Sequence, residues 1–227
     1  MERRNACIGI QIRENSTRFP YKWAALIQGK PIYQYIHDRL TAVCSPEDIW
    51  YLVPCGNDTL IDVLESNGYN VFVDYEEAHE NDVLGRYARF LYEFPEYDFV
   101  VRYTADDPFR DVWSMAALLI SMAQNPSIGV GVTIGLPDGM NNEVFSRGKI
   151  LELAMNESIE REHIGHLFDT SALDTVTLCY NNQSKLSVTL DFQKDLDFIN
   201  FVAGQVEEYD MTPLEVLCEL ERGKIDG

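Results

Sequence analysis

The chain has 227 residues, of which 46% are hydrophobic, 11% aromatic and 24% charged. This is the composition of an ordinary globular protein with a sizeable core, and it excludes extensive disorder. The 18 lysines and arginines are outnumbered by 37 acidic residues, which gives a formal net charge of -19. Because nucleic-acid-binding domains carry basic surfaces, we expect no nucleic-acid partner.

The apolar segments and the cysteines bear on the cellular compartment. No apolar run approaches the roughly 20 residues of a membrane span, so we expect no membrane partner. The run after residues 1–5 is too short for a signal peptide. The cysteines are odd in number and form no C-x-x-C pair, so we expect core thiols and no disulfide or zinc site. These features predict a cytoplasmic protein.

Strand-like apolar runs alternate with amphipathic helical segments in the first half of the chain. Predicted strands cover 8–10, 48–54, 70–73 and 99–103. Predicted helices cover 32–40, 58–66 and 83–92. This rhythm predicts an α/β fold with a mostly parallel central sheet flanked by helices. Ligands of such sheets bind beyond the carboxyl ends of the strands, where the loops at 11–22 and 104–111 both emerge.

The alternation becomes less regular beyond about residue 126. Predicted strands there cover 128–135, 144–145 and 186–190. Predicted helices cover 149–155, 195–208 and 213–222. The sequence shows no repeat, low-complexity tract or linker. We therefore predict a single domain over residues 1–227, with a subregion at about 126–185 that serves the substrate or a dimer contact.

The loop after the first strand is rich in cations and hydroxyls. Its sequence from residue 11 to residue 22 is Q-I-R-E-N-S-T-R-F-P-Y-K. Arginine binds phosphate oxygens bidentately and lysine supplies a point charge, so this loop suits a triphosphate. In so acidic a chain, a phosphate site must be a local cluster of basic residues helped by a divalent metal. The alternative is an ordinary solvated basic turn.

Carboxylates follow two other predicted strands. The pair Asp106 and Asp107 comes just after the strand at 99–103, and Asp191 comes after the strand at 186–190. Mg²⁺ prefers one or two carboxylates together with phosphate oxygens and water. The alternative for each carboxylate is a helix cap, and we predict that role for Asp111 and Asp195.

The order of these segments resembles the sugar cytidylyltransferases. These include the 3-deoxy-manno-octulosonate and acylneuraminate cytidylyltransferases and, most similar of all, the spore-coat-polysaccharide type. The first loop resembles the family pattern R-x-G-S-T-R-L-P-G-K, with matches at Arg13, Ser16, Thr17, Arg18, Pro20 and Lys22. Asn15 and Tyr21 replace small family residues, and the Tyr21 ring is expected to project where backbone approaches a nucleotide.

The resemblance also implies the metal ligands. Residues 102–111 resemble R-I-T-G-D-C-P-L-I-D, in which the aspartate after glycine binds the metal, here Asp106. Residues 187–196 resemble L-T-V-D-T-P-E-D-L, in which the first aspartate is the second ligand, here Asp191. The implied metal is Mg²⁺.

Three further segments extend the resemblance. Residues 81–87 resemble E-D-V-L-D-R-Y, which implies that the helix start at Asp82 lies near the nucleotide. Read alone, this segment is an Asp82-capped helix with Arg86 in solvent. Residues 136–145 resemble Y-P-D-G-L-D-V-E-V-F, and residues 161–163 match R-E-H, which lies toward the acceptor sugar. The implied acceptor-binding residues are Asp138, Asn142, Glu143, Arg161 and His163.

Residues 163–166 also spell H-I-G-H, the signature of another nucleotidyltransferase superfamily. That signature directly follows the first strand of its own domain, whereas here it lies late in the chain. We therefore prefer the R-E-H interpretation of this segment.

The resemblance implies a Rossmann-like nucleotide-diphospho-sugar transferase fold, a homodimer and a CTP-dependent reaction. The cytidylyl group would pass to an acidic sugar or sugar phosphate for surface polysaccharide or glycan synthesis, with release of pyrophosphate. Arg18 and Lys22 are then the predicted catalytic residues. The predicted nucleotide-binding residues are Arg13, Ser16, Thr17, Asp82, Arg102 and Thr104. The alternative is a non-catalytic nucleotide- or sugar-binding relative that acts as a partner subunit, which the departures at Tyr21, Ala105 and Asn141 motivate.

Overall fold

The computed structural model describes residues 5–76, 80–156, 158–162, 164, 172–181 and 185–225. Its strands are β1 (Asn5–Gln11), β2 (Leu26–Ile27), β3 (Lys30–Pro31), β4 (Ile49–Pro54), β5 (Asn70–Asp74), β6 (Tyr97–Thr104), β7 (Val130–Ile134), β8 (Glu143–Ser146) and β9 (Thr175–Cys179). Its α-helices are α1 (Ile32–Leu40), α2 (Asp58–Ser66), α3 (Val83–Glu93), α4 (Val112–Gln124), α5 (Arg147–Ala154), α6 (Gln193–Tyr209) and α7 (Pro213–Glu221). Short 3₁₀ turns cover Lys22–Ala24 and Pro46–Asp48.

A seven-stranded sheet runs through the described part of the chain in the order β5-β4-β1-β6-β8-β7-β9. The strand pairs β1–β4, β1–β6, β4–β5 and β7–β9 are parallel. Strand β8 is antiparallel to both of its neighbours, β6 and β7. The predicted α/β fold with a mostly parallel sheet is therefore confirmed. Strands β2 and β3 form a separate small hairpin.

The two faces of β1 pack into two separate apolar clusters, because side chains alternate across a strand. Ile8 and Ile10 join the larger cluster with α1, α2, α4, α6 and α7, whereas Cys7 joins the smaller one with α3 and α5. On the smaller side the Tyr87 hydroxyl donates to the Gly9 carbonyl oxygen at 2.6 Å. A Cβ on Gly9 would lie 2.7 Å from the Tyr87 ring, so the glycine allows α3 to pack tightly against the sheet.

The predicted elements agree with the structure best in the first half of the chain. Helices α1 and α2 have the predicted limits, 32–40 and 58–66. The predicted strand at 186–190 is wrong, because within the described ranges this segment forms only an isolated bridge, between Asp138 and Ser187. Val188 and Leu190 are nevertheless fully buried, so the alternation reflects burial of one side of an extended segment without a sheet partner. Strand β9 and the β2–β3 hairpin were not predicted.

The structure also bears on the predictions of core thiols and of no membrane span. All five cysteines lie in the described ranges and are free thiols. Only Cys7 is fully buried, whereas Cys55 and Cys179 are exposed, so the expectation of core thiols is only partly correct. Within the described ranges, no helix combines the length and the apolar character needed to cross a membrane.

Gly139 should be one of the least replaceable residues of the fold. It has φ +85°, and a Cβ there would lie 2.7 Å from Thr189 Oγ1 and 2.9 Å from the Thr189 backbone nitrogen. We expect Gly139→Ala to lower the free energy of unfolding by about 2–4 kcal/mol, since the left-handed backbone and the overpacking each cost on the order of 1–2 kcal/mol. Chemical denaturation measures this loss.

Gly29→Ala is the matched control for this prediction. Gly29 has φ +78°, but a Cβ there would meet nothing within 4 Å. Gly29→Ala should lose only the backbone contribution, about 1–2 kcal/mol. Equal losses for both variants would mean that contact with Thr189 contributes nothing.

Candidate active site

The loop after β1 and the loop after β6 start side by side at the carboxyl end of the sheet. The strand register pairs Gln11 with Thr104, and the Ala105 backbone N–H donates to the Gln11 carbonyl oxygen at 3.2 Å. The first loop then returns to the sheet through the 3₁₀ turn at Lys22–Ala24, which the buried Trp23 anchors. This turn directs the Lys22 ammonium toward the loop after β6.

Lys22 brings together two carboxylates from distant parts of the chain. Its Nζ lies 3.4 Å from Asp106 Oδ2 and 3.4 Å from Asp191 Oδ1. Arg18 Nη1 lies 2.9 Å from Asp191 Oδ2. Two carboxylates that converge on one cation are a suitable donor set for Mg²⁺, which completes its octahedron with phosphate oxygens and water.

These groups line a cleft of about 280 Å³. The cations that line it are Arg13, Arg18, Lys22, Arg86 and Arg102, and the carboxylates are Glu80, Asp106, Glu162 and Asp191. Five cations against four carboxylates make the cleft far less acidic than the chain as a whole, with its net charge of -19. The hydroxyls of Ser16, Thr17 and Thr104 also lie in the lining. The cleft therefore has a small excess of cations, and phosphate binding there stays a prediction.

Adjacent aspartates in the loop after β6 have opposite pKa shifts. The pKa of Asp106 is raised, first because surrounding protein desolvates its carboxyl and second because of the charge of Asp107. Burial alone would also raise the pKa of Asp107, but the Arg110 guanidinium and two threonine hydroxyls outweigh this effect and lower the pKa. Of these two aspartates, Asp106 is thus the one whose ionised form gains more from an additional cation.

Arg102 and Glu143 form an ion pair across neighbouring strands. Arg102 Nη1 lies 2.8 Å from Glu143 Oε2, and both side chains are largely buried. Arg102 lines the cleft together with Thr104, whereas Glu143 is not among the described residues that line it. Glu143 thus lies behind Arg102 and holds its guanidinium in place.

Asp82 and Arg161 form a second ion pair beside the cleft. Arg161 Nε lies 2.6 Å from Asp82 Oδ1, and Asp82 also caps α3 by accepting from the Gly85 backbone N–H at 3.0 Å. Burial alone would raise the pKa of Asp82, but the bonds from Arg161 and Gly85 outweigh it and lower the pKa. The predicted cap is confirmed. Neither partner of this pair is among the described residues that line the cleft.

Of the remaining predicted acceptor-binding residues, Asp138 and Asn142 are not among the described residues that line the cleft. Asp138 Oδ2 accepts from the Ser187 hydroxyl at 2.9 Å. Asn142 is fully buried, and its Nδ2 donates to the Asp111 carbonyl oxygen at 2.7 Å. His163 lies outside the described residues. Acceptor contacts by these three residues stay predictions.

The two predicted caps are present. Asp111 caps α4, since its carboxylate accepts from the Ser114 backbone N–H at 2.8 Å. Asp195 occupies the third position of α6 and accepts from the backbone N–H groups of Asp191 and Phe192. Its carboxylate therefore satisfies the backbone N–H groups at the start of α6 and fixes the backbone beside Asp191.

Arg86 is a cleft residue that the sequence interpretation missed. It was expected in solvent, but only 3% of it is exposed and it lines the cleft. Its Nη2 donates to the Glu80 carbonyl oxygen at 2.9 Å. The signal was present in the spacing, because Val83, Arg86 and Phe90 recur at intervals of three and four and therefore share one buried helix face.

The departures that motivated a non-catalytic alternative leave the cleft open. Tyr21 has φ +57° and is 68% exposed, and it is not among the described residues that line the cleft. The Asn141 side chain bonds to the backbone N–H and carbonyl oxygen of Leu136, which closes the turn. Ala105 is buried and keeps the backbone bond to Gln11. None of these three residues fills the cleft.

A mostly parallel sheet with a basic loop after β1, and with carboxylates facing that loop, defines an α/β fold of the nucleotidyltransferase class. The family model for cytidylyltransferases matches residues 6–178. Because this match covers most of the chain, the protein belongs to the cytidylyltransferase family.

Curated relatives and solved structures agree with this family. The chain is 30% identical over 111 residues to 3-deoxy-manno-octulosonate cytidylyltransferase 2 of Hydrogenovibrio crunogenus, covering 48% of this chain and 44% of that one. The chain spans about half the length of the curated relatives it matches. A cytidylyltransferase structure from Leptospira borgpetersenii has a TM-score of 0.85 at 22% identity, covering 97% of this chain and 95% of that one.

Two more distant structures share the fold. CMP:2-keto-3-deoxy-manno-octonic acid synthetase complexed with CTP has a TM-score of 0.67 at 16% identity, covering 88% of this chain and 98% of that one. Rv0371C from Mycobacterium tuberculosis in complex with manganese has a TM-score of 0.59 at 13% identity, covering 86% and 98%. The Rossmann-like nucleotide-diphospho-sugar transferase fold is therefore shown.

Proposed function

We propose that this protein transfers the cytidylyl group of CTP to an acidic sugar or sugar phosphate for surface polysaccharide or glycan synthesis. The observation that carries the proposal is the convergence of Asp106 and Asp191 on the Lys22 ammonium, in a cleft that Arg13 and Arg18 also line. The relatives support both proposed substrates, CTP and an acidic sugar. They include cytidylyltransferases for an acidic sugar and a synthetase complexed with CTP.

The chemistry is a displacement at phosphorus. An acceptor oxygen attacks the α-phosphorus of CTP, the bond from that phosphorus to the β-bridging oxygen breaks, and pyrophosphate leaves. An acceptor hydroxyl loses its proton in this step. Arg13, Arg18 and Lys22 hold the β- and γ-phosphates and stabilise the charge of the leaving pyrophosphate. The hydroxyls of Ser16 and Thr17 complete the phosphate contacts.

Asp106 and Asp191 are the proposed ligands of Mg²⁺. The ion supplies charge neutralisation at the transferring phosphorus when it is bound. The manganese complex of a fold neighbour supports a divalent ion. Lys22 forms ion pairs with both carboxylates, and in the proposed complex its ammonium turns from them to the phosphates.

The remaining assignments complete the proposal. Asp82, Arg102 and Thr104 serve the nucleotide, and Asp138, Asn142, Glu143, Arg161 and His163 serve the acceptor. Residues 126–185 form the substrate or dimer subregion of a single domain, and the protein acts as a homodimer. The cytoplasmic location stays a prediction.

CTP with Mg²⁺ should stabilise the protein more than ATP, GTP or UTP with Mg²⁺. A ligand at 100 times its Kd adds about 2.7 kcal/mol, which corresponds to a shift in Tm of about 5–10 °C for a chain of this size. A thermal-shift panel of the four triphosphates measures the difference. Equal shifts with all four, or none with any, would contradict the assignment of CTP.

A pair of arginine variants shows whether the shift arises in this cleft. Arg18 and Arg222 are both 62% exposed and form ion pairs of 2.9 Å and 2.7 Å. Arg18→Ala should remove most of the CTP shift, because Arg18 is proposed to hold phosphate. Arg222→Ala, which removes an arginine paired with Glu219 at the end of α7, should keep the full shift.

A further inference from the structure

The segment that carries Asp191 is held in place without a strand partner. Residues 186–190 form only one isolated bridge, at Ser187, among the described residues. The Val188 N–H donates to the Asp138 carbonyl oxygen at 3.0 Å as part of this bridge, and the Leu190 N–H donates to the Asp106 carbonyl oxygen at 2.8 Å. The position of Asp191 relative to Asp106 therefore depends on loop contacts.

Asp107 provides a side-chain contact between the loop after β6 and the segment that carries Asp191. Its Oδ1 accepts from the Thr189 hydroxyl at 2.8 Å. Its Oδ2 accepts from the Thr104 hydroxyl at 2.6 Å and from Arg110 Nη2 at 2.9 Å and Nε at 3.2 Å. Asp107 Oδ2 is thus bound by residues next to it in the chain, whereas Oδ1 is bound by the segment that carries Asp191.

Arg110 fixes this arrangement to the sheet. Its Nη1 donates to the Arg102 carbonyl oxygen at 3.0 Å, and only 5% of the residue is exposed. Asp107 is itself only 8% exposed. Because a carboxylate that already accepts four short hydrogen bonds has little capacity left, Asp107 is poorly suited to bind a metal, despite lying next to Asp106.

We infer that Asp107 is a positioning residue that sets the spacing of Asp106 and Asp191 through its bond to Thr189. The inference rests on the proposed function, because it takes Asp106 and Asp191 as the metal ligands. The bond from Thr189 to Asp107 should tune metal affinity and leave the phosphate contact of Arg13 unchanged, since Arg13 pairs with Glu80 and Asn81.

The test compares three substitutions of Thr189. Thr189→Val keeps the shape of the side chain and removes the hydroxyl. Thr189→Ala removes the hydroxyl without placing a methyl group against the Asp107 carboxylate. Thr189→Ser keeps the hydroxyl. Mn²⁺ is titrated into each full-length protein with saturating CTP, and free Mn²⁺ is read by electron paramagnetic resonance. The Kd for Mn²⁺ should rise about 10-fold or more in the valine and alanine variants, as for other residues that orient metal ligands, and stay within about twofold in the serine variant.

Thr133→Val is the matched control, because Thr133 is also buried and its hydroxyl accepts from the Asn142 N–H at 2.6 Å, away from the carboxylates. It should keep the wild-type affinity for Mn²⁺. Melting curves identify any variant that fails to fold, in which case the alanine and serine pair decides. Unchanged metal affinity without the hydroxyl, or an equal loss in the serine variant, would overturn the inference.

The wild-type protein separates this inference from the proposed function. Binding of Mn²⁺ that depends on the Thr189 hydroxyl, without any cytidylyl transfer, would leave the inference standing and overturn the proposed function. Absence of Mn²⁺ binding by the wild-type protein would overturn the inference.

Discussion

Replacing Asp106 or Asp191 by asparagine is expected to lower the rate at which pyrophosphate is released from CTP, in the presence of Mg²⁺, by about 10³-fold or more. A neutral amide is a poorer partner for a hard cation, and a lost metal contact removes several kcal/mol of transition-state stabilisation, at about 1.4 kcal/mol per tenfold. Both side chains are partly exposed, about one third, so the fold should tolerate the exchange.

The measurement uses initial rates with an acceptor identified from a panel of acidic sugars and sugar phosphates. Asp38→Asn is the matched control, since Asp38 is 45% exposed and pairs with Lys30 at 2.7 Å outside the cleft. The control should keep its rate within about twofold, the range expected for an exposed ion pair. Near-normal turnover by either site variant would show that its carboxylate is not a required ligand.

Replacing Lys22 by methionine should lower turnover and should change stability in a way that depends on Mg²⁺. Turnover should fall by about 10²–10³-fold, the effect typical of losing one preorganised group that stabilises transition-state charge. Without Mg²⁺ the variant should also be less stable than the wild type, because Asp106 and Asp191 lose the cation they share. Added Mg²⁺ should then raise the Tm of the variant more than that of the wild type, since the ammonium no longer competes for the carboxylates.

Lys149→Met is the control for this double effect. Lys149 is 20% exposed, against 16% for Lys22, and its ammonium also lies between two carboxylates, 3.6 Å from Glu152 and 3.0 Å from Asp174. The Lys149→Met variant should be less stable than the wild type but should keep the wild-type turnover and the wild-type response to Mg²⁺. A Lys22→Met protein that responds to Mg²⁺ no more than this control would contradict the proposed metal position.

The sequence determined the parts of the fold that depend on local periodicity. The limits of α1 and α2 follow from the apolar spacing and from Pro31 and Gly68 at their boundaries. The rhythm of strands and helices predicted the mostly parallel sheet, because parallel strands need helical crossovers. The same rule predicted that the loops after β1 and β6 lie together, which the pairing of Gln11 with Thr104 confirms.

The tertiary structure decided what depends on contacts between distant segments. Arg86 was misplaced because a charged side chain in isolation favours solvent, whereas in the fold it is buried 3.7 Å from the carboxylate of Asp74 and lines the cleft. The segment 186–190 alternates like a strand, but only its neighbours determine whether its backbone finds a ladder partner. The bond from Thr189 to Asp107 joins residues 82 apart in the chain, a separation that local patterns cannot encode. The sequence thus determined the end of β6 and singled out Asp106 and Asp191, and the folded chain determined which carboxylates face the Lys22 ammonium and which one bonds to Thr189.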